Sequence, residues 1–158
     1  MTPVGLDIGL FERLIRHDEG VRSYVYDDAT GKPIGPGSTV VGNPTIGAGR
    51  NVGPSGPGLR DDEIDAMLTN DAGHYEDQAR TFDWYATLDP IRATVVCCMV
   101  FNIGLRGFQE FHRLHAAIKT ADWESAAAEM LDSRWANQVG ERAHRLAEMM
   151  RLGVPITR

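Results

Sequence analysis

Apolar residues between Leu6 and His17 fall at Leu10, Phe11, Leu14 and Ile15, a helical spacing that stops at Gly20, so the first predicted element is an amphipathic helix. Beyond Gly20 the period shortens to two: Tyr24, Tyr26 and Asp28 would share one face of a strand and Val25 the other. Glycines and prolines then break the chain from Ala29 to Pro44, leaving Ser38 to Val41 as the only strand-like piece there. A second strand is expected at Thr45-Ile46-Gly47-Ala48-Gly49, and a further glycine and proline cluster, Gly53 to Gly58, ends the sheet.

From Arg60 onward the periodicity is almost wholly helical. Arg60 to Ala79 carries Ile64, Met67, Leu68 and Tyr75 on one stripe. Asp89-Pro90 reads as a cap followed by proline at the first helical position, and Ile91 to Phe101 is apolar enough for a buried central helix. His112 and His115 fall on a further helix, Asp122 caps another, and Glu141 to Leu152 forms the last. The pattern predicts an α+β fold, mainly helical, with a small antiparallel β-lobe after the first helix. At 158 residues and 42% hydrophobic content, one domain over 1–158 is expected, with the β-lobe at about 21–58 and the helical lobe from 6–19 plus 60–158.

Net charge is −6, and the acidic excess lies before Pro90, so no basic stripe is present to track phosphates and nucleic acid is a poor partner. No uninterrupted apolar run approaches the length of a membrane span, and the first ten residues lack the pattern of an export signal, so a protein made in the cytoplasm without membrane insertion is expected. Cys97 and Cys98 are adjacent in an apolar run, which fits inert core thiols in a reducing compartment better than a bridge or a thiol nucleophile. His112 and His115 have no further ligand spaced to close a metal shell; neither metal nor cofactor is expected.

Four charged residues interrupt apolar stripes. Glu19 continues the first helix's stripe at its last turn, where the macrodipole and apolar neighbours disfavour the ionised form, as a general acid requires; the alternative is a solvated helix end. Asp28 follows nine residues later, so the two carboxylates could flank one cleft as glycoside hydrolysis requires, although a turn-initiating aspartate is the simpler reading of it alone. Asp71 falls on the inward face of its helix and calls for a partner, with Arg50 proposed; an edge position in water is the alternative. Arg142 lies inward on the last helix, where Glu19 would suit it, or it snorkels at the surface.

The run Asp18-Glu19-Gly20-Val21-Arg22, then Tyr26-Asp27-Asp28, then Thr45-Ile46-Gly47-Ala48-Gly49, resembles the signature of phage lysozymes of glycoside hydrolase family 24. The likeness resumes at Met99-Val100-Phe101-Asn102-Ile103-Gly104, at Ser133-Arg134-Trp135-Ala136-Asn137-Gln138 and at Arg142. The resemblance implies an inverting muramidase with Glu19 as general acid, Asp28 as second carboxylate and Thr45 helping to hold the attacking water across the hairpin. It further implies Phe101, Asn102 and Asn51 along the groove, and Arg142 paired with the catalytic glutamate. Arg50 stands where a family member has a histidine paired to the aspartate matched by Asp71, a clasp that arginine would make insensitive to pH near neutrality. The link from Asp28 to Thr45 is longer than in that relative and the part from Gly49 to Arg60 is shorter.

The implied substrate is bacterial peptidoglycan, cut by a monomer that reaches the wall from the host cytoplasm once the membrane is breached. Two other readings stay open: a non-catalytic peptidoglycan-binding virion protein, and a lytic transglycosylase that would need no water.

Overall fold

The computed structural model describes residues 6–156. It divides into two compact units, Met1–Ala66 and Met67–Arg158, with the division inside one helix. The first helix therefore counts with the sheet and not, as expected, with the later helices.

In the first unit, α1 spans Ile8–Glu19, capped by the Asp7 carboxylate, which accepts from the Leu10 N–H at 2.9 Å. It ends at Gly20, whose φ of 69° takes the chain out of the helix. Its apolar residues do not form a buried stripe: Leu10, Phe11 and Leu14 are each about half exposed, and no residue of α1 is buried. Periodicity shows a helix its apolar face, but not what covers it.

Strand β1 (Arg22–Asp27) pairs antiparallel with β2 (Pro44–Gly47), which pairs antiparallel with β3 (Arg50–Asn51). Register runs Arg22 to Gly47 and Tyr26 to Thr45, with an irregularity between. That irregularity overturns the expected alternation: Tyr26 and Asp27, which are consecutive, are both buried, while Tyr24 is half exposed and Asp28 lies beyond the strand. The strand-like piece at Ser38 to Val41 forms no strand; Gly35 and Ser38 close a turn on each other, and Asp27 holds the Val41 end.

The second unit is helical. The remainder of α2 (Asp61–Ala79) leads through a single 3-10 turn at Tyr85–Thr87 to α3 (Pro90–Gln109), α4 (His112–Lys119), α5 (Trp123–Leu131), α6 (Arg134–Val139) and α7 (Glu141–Leu152). Asp89 caps α3 by accepting from Ile91 and Arg92 N–H groups, with proline next, as the dipeptide predicts. Val95, Val96, Met99 and Val100 of α3 are wholly buried among Phe108, Leu114, Ile118, Met130 and Met150. By length and composition α3 could cross a membrane. Gly104, at φ 74°, interrupts it, however, and neither half reaches the ~20 residues a bilayer core demands. Arg92 binds the closing carbonyls of α7, Met150 O at 2.7 Å and Arg151 O at 3.0 Å, joining the start of α3 to the end of α7.

Candidate active site

The first unit gathers Glu19, Asp28 and Thr45 on one hairpin. Glu19, the last residue of α1, is exposed rather than tucked into an apolar stripe. Its side chain lies over the turn between β2 and β3: a Cβ at Gly49 would stand 3.0 Å from Glu19 Cγ and 3.1 Å from Oε2. Gly49 has a φ of 81°, so the turn needs glycine for its backbone as well as for this close approach.

Asp28 sits past the other end of the same hairpin, where its own N–H donates to Asn43 O at 3.1 Å. Asn43 answers with two donors: its backbone N–H reaches Asp28 Oδ1 at 2.6 Å and its carboxamide Nδ2 reaches Oδ2 at 3.0 Å. The Asn43 N–H, then its side-chain donor, hold the Asp28 carboxyl below the usual carboxylate range, against the opposing charge of Asp27. Asp28 is therefore an ionised, exposed carboxylate. Gly42 is required beside it, because a Cβ there would collide with the Asp28 carboxylate and come 2.8 Å from Ala29 N.

Thr45 was expected across the hairpin from Asp28, but it pairs with Tyr26, and Asn43 takes the place opposite Asp28. Thr45 is 3% exposed, and its hydroxyl donates to Asn43 O at 3.1 Å. Its only proton is thus committed within the hairpin, leaving lone pairs for any further partner. Strand β2 runs between the two carboxylates. Glu19 lies at one end and Asp28 at the other.

Beneath this site is a residue that sequence reasoning passed over. Asp27, 2% exposed, accepts from the N–H groups of Val41 at 2.7 Å, Gly42 at 3.0 Å and Ala29 at 3.0 Å. The Val41 bond leads in holding its carboxyl below the usual range, while burial works the other way. One carboxylate thereby fixes the loop that presents Gly42 and Asn43 to Asp28. The only sequence signal was the Asp27-Asp28 doublet ahead of Asn43-Pro44, which reads as turn chemistry.

Two other expected roles change. Arg50 does not wait on Asp71: its Nη1 and Nη2 grip Glu63 at 3.2 and 2.9 Å, and Nη1 also donates to Gly58 O at 3.2 Å. Glu63 also turns back to cap α2, accepting from Arg60 N–H at 2.9 Å. Asn51 uses its carboxamide oxygen on Gly53 N–H at 2.8 Å, and Gly56 packs so closely that a Cβ would overlap the Asn51 side chain. That oxygen holds a loop and is not presented to a groove.

The remaining predicted residues belong to the second unit. Asp71, Phe101 and Arg142 line a cavity of about 690 Å³ together with Tyr75, Cys97 and Cys98. Phe101 is half exposed, edge-on to Tyr75 with centroids 5.1 Å apart. Asn102 Oδ1 accepts from the buried Trp135 indole N–H at 2.7 Å, which ties α3, two residues before its break at Gly104, to α6. Cys97 is partly buried and Cys98 exposed, so they are not the core thiols that were expected; desolvation still pushes both thiols up, so neither suits a thiolate nucleophile. His115 bonds the Phe108 carbonyl at 2.9 Å among aromatic rings, and His112 faces Glu110.

A mainly helical α+β protein with a small antiparallel sheet after its first helix has a lysozyme-like fold. The chain belongs to the phage lysozyme family, whose profile matches residues 16–149, and that membership supports a lysozyme-like glycosidase role. It is 25% identical over 89% of its length to the pre-baseplate central spike protein Gp5 of Enterobacteria phage T4, covering 27% of that protein. Over 44% of its length it is 32% identical to the probable T4-type lysozyme 1 of Dictyostelium discoideum, covering 41% of that protein. The chain therefore spans less than half the length of either relative.

Proposed function

We propose that the chain is a muramidase that hydrolyses the β-1,4 bond between N-acetylmuramic acid and N-acetylglucosamine in bacterial peptidoglycan with inversion at the anomeric carbon. The observation that carries this reading is the pairing of Glu19 over a glycine turn with Asp28 held ionised at the far end of the same hairpin. Protonated Glu19 gives its proton to the glycosidic oxygen as that bond breaks. Water adds to the anomeric carbon from the opposite face and its proton passes to Asp28. Inverting glycosidases keep their carboxyl groups about 6.5–9.5 Å apart to admit that water. Buried Thr45 contributes by fixing Asn43, and by its lone pairs to the water.

Glu19→Gln is expected to remove new reducing ends from purified peptidoglycan by at least about a thousand-fold while leaving the near-UV circular dichroism intact. Retained activity sinks the assignment. Fragments heavier by one water support hydrolysis, whereas 1,6-anhydro ends would mean a transglycosylase. The likeness to a central spike protein favours a second reading, a virion component that binds the wall. Saturable binding to peptidoglycan without new reducing ends would establish that role instead. For the enzyme, we place synthesis in the host cytoplasm and action at the wall after the membrane is breached.

A further inference from the structure

We infer that Asn43 is the positioning residue for the second carboxylate, acting on Asp28 from two directions and linking it to Thr45 and to the following loop. The inference rests on the muramidase reading for its catalytic consequence, but its geometry stands alone. Four groups of one residue are engaged. The backbone N–H and Nδ2 both donate to the Asp28 carboxylate, the carbonyl accepts from Asp28 N–H and from the Thr45 hydroxyl, and Oδ1 accepts from Ser55 Oγ at 3.1 Å.

Asp28 is exposed, so water could turn its carboxylate freely; donors on both oxygens remove that freedom and set the plane of the lone pairs. A base that must hold one water against one face of a sugar needs that orientation. Asn43 is itself placed by Asp27, whose bonds to Val41 and Gly42 N–H groups fix the two residues before it. The charge facing Asp28 is that of Asp27, which opposes ionisation, and the Asn43 donors favour the ionised form against it. An asparagine serves here where a lysine or arginine would not: it donates without adding a cation that would hold the water's proton away from Asp28.

Two variants test this, read first by carbon-13 NMR titration of the Asp28 carboxyl, which needs no turnover. Asn43→Ala removes the side-chain donor while the backbone N–H remains, and should raise the Asp28 midpoint by roughly half a unit to one unit. Asn43→Asp keeps the volume and the acceptor for Ser55 but sets a carboxylate against Asp28, so it should raise the midpoint further. In peptidoglycan hydrolysis the acidic limb of kcat/KM should move up in the same order, with kcat reduced about ten- to hundred-fold and KM little changed.

An Asp28 midpoint unmoved in both folded variants, or a limb that stays put while the midpoint moves, overturns the inference and leaves the muramidase reading intact. Conversely, a midpoint that moves in the variants while the wild-type protein makes no new reducing ends overturns the muramidase reading, and with it the catalytic use of Asn43.

Discussion

The core of the second unit is mostly apolar, with Val95, Val96, Met99, Val100 and Phe108 at 0% exposure. In the first, the buried side chains among the described residues are Tyr26, Asp27 and Thr45. One unit is held by non-directional burial, which is sensitive to volume and indifferent to which backbone group sits where. The other is held by a buried carboxylate and a hydroxyl that specify particular N–H and C=O groups, which is sensitive to protonation and geometry. The consequence is functional as well as structural. A base must be aimed, and directional bonds aim side chains in a way that apolar contacts do not.

The largest effect that would sharpen this contrast is expected in the apolar unit. Phe108 is wholly buried and meets Phe82, Trp84, Phe111 and His115 ring to ring. Phe108→Ala should cost about 3–5 kcal/mol, lost transfer energy plus the cavity left behind. All three tryptophans, Trp84, Trp123 and Trp135, lie in this unit, so urea unfolding followed by tryptophan fluorescence reads it directly. A cost below about 1 kcal/mol would mean the site collapses freely and the core is not close-packed there.

The same contrast explains what could be read from the sequence. The caps at Asp89 and Asp122, the apolar run of α3 and the bounds of α7 were legible, because helix periodicity and capping chemistry are local. Glu19, Asp28 and the glycine turn were legible as a family signature. Hidden were the partners. Thr45 faces Tyr26 and not Asp28, in a register that the irregularity between Arg22 and Tyr26 moves by two residues and that no local pattern announces. Asn43 and Asp27 were hidden for a related reason: their bonds span fourteen or fifteen residues of irregular chain, which no period describes. The stripe on α1 was legible as helical, but not what covers it.

Acid should separate the two units by a second route, smaller than the core substitution. Burial pushes His115 below its ordinary 6.5, so the folded second unit prefers it neutral. Its stabilisation is whole above 6.5 and is lost as pH falls from there through the lowered folded value. Asp27 is likewise depressed, led by the Val41 N–H, but from an ordinary 3.8. Its contribution persists above 3.8 and is lost only as pH falls through the still lower folded value. Tryptophan-detected stability should therefore begin to decline in mildly acid buffer, while exchange protection of the Val41 and Gly42 amides holds until strong acid. His115→Gln should flatten the first decline and Asp27→Asn the second. Coincident declines, unchanged by either substitution, would erase the distinction.

The smallest effect concerns Arg50, where the first unit uses a charge pair without burying it. The side chains of Arg50 and Glu63 are 32% and 25% exposed, so solvent screens the fork-like pair and its net worth is modest. Glu63 has a second duty, accepting the Arg60 N–H at the start of α2, and that bond leads in keeping its carboxyl low. Glu63→Ala should therefore lower the melting midpoint more than Arg50→Ala, because it removes the cap as well as the pair. In the double variant the coupling should move the midpoint by no more than about 2–3 °C. Arg50→Lys should lose most of that coupling, since an ammonium cannot reach both oxygens and the Gly58 carbonyl from one plane. A coupling several times larger would show that this pair is shielded from water, and would place a third directional, desolvated contact beside those of Asp27 and Thr45.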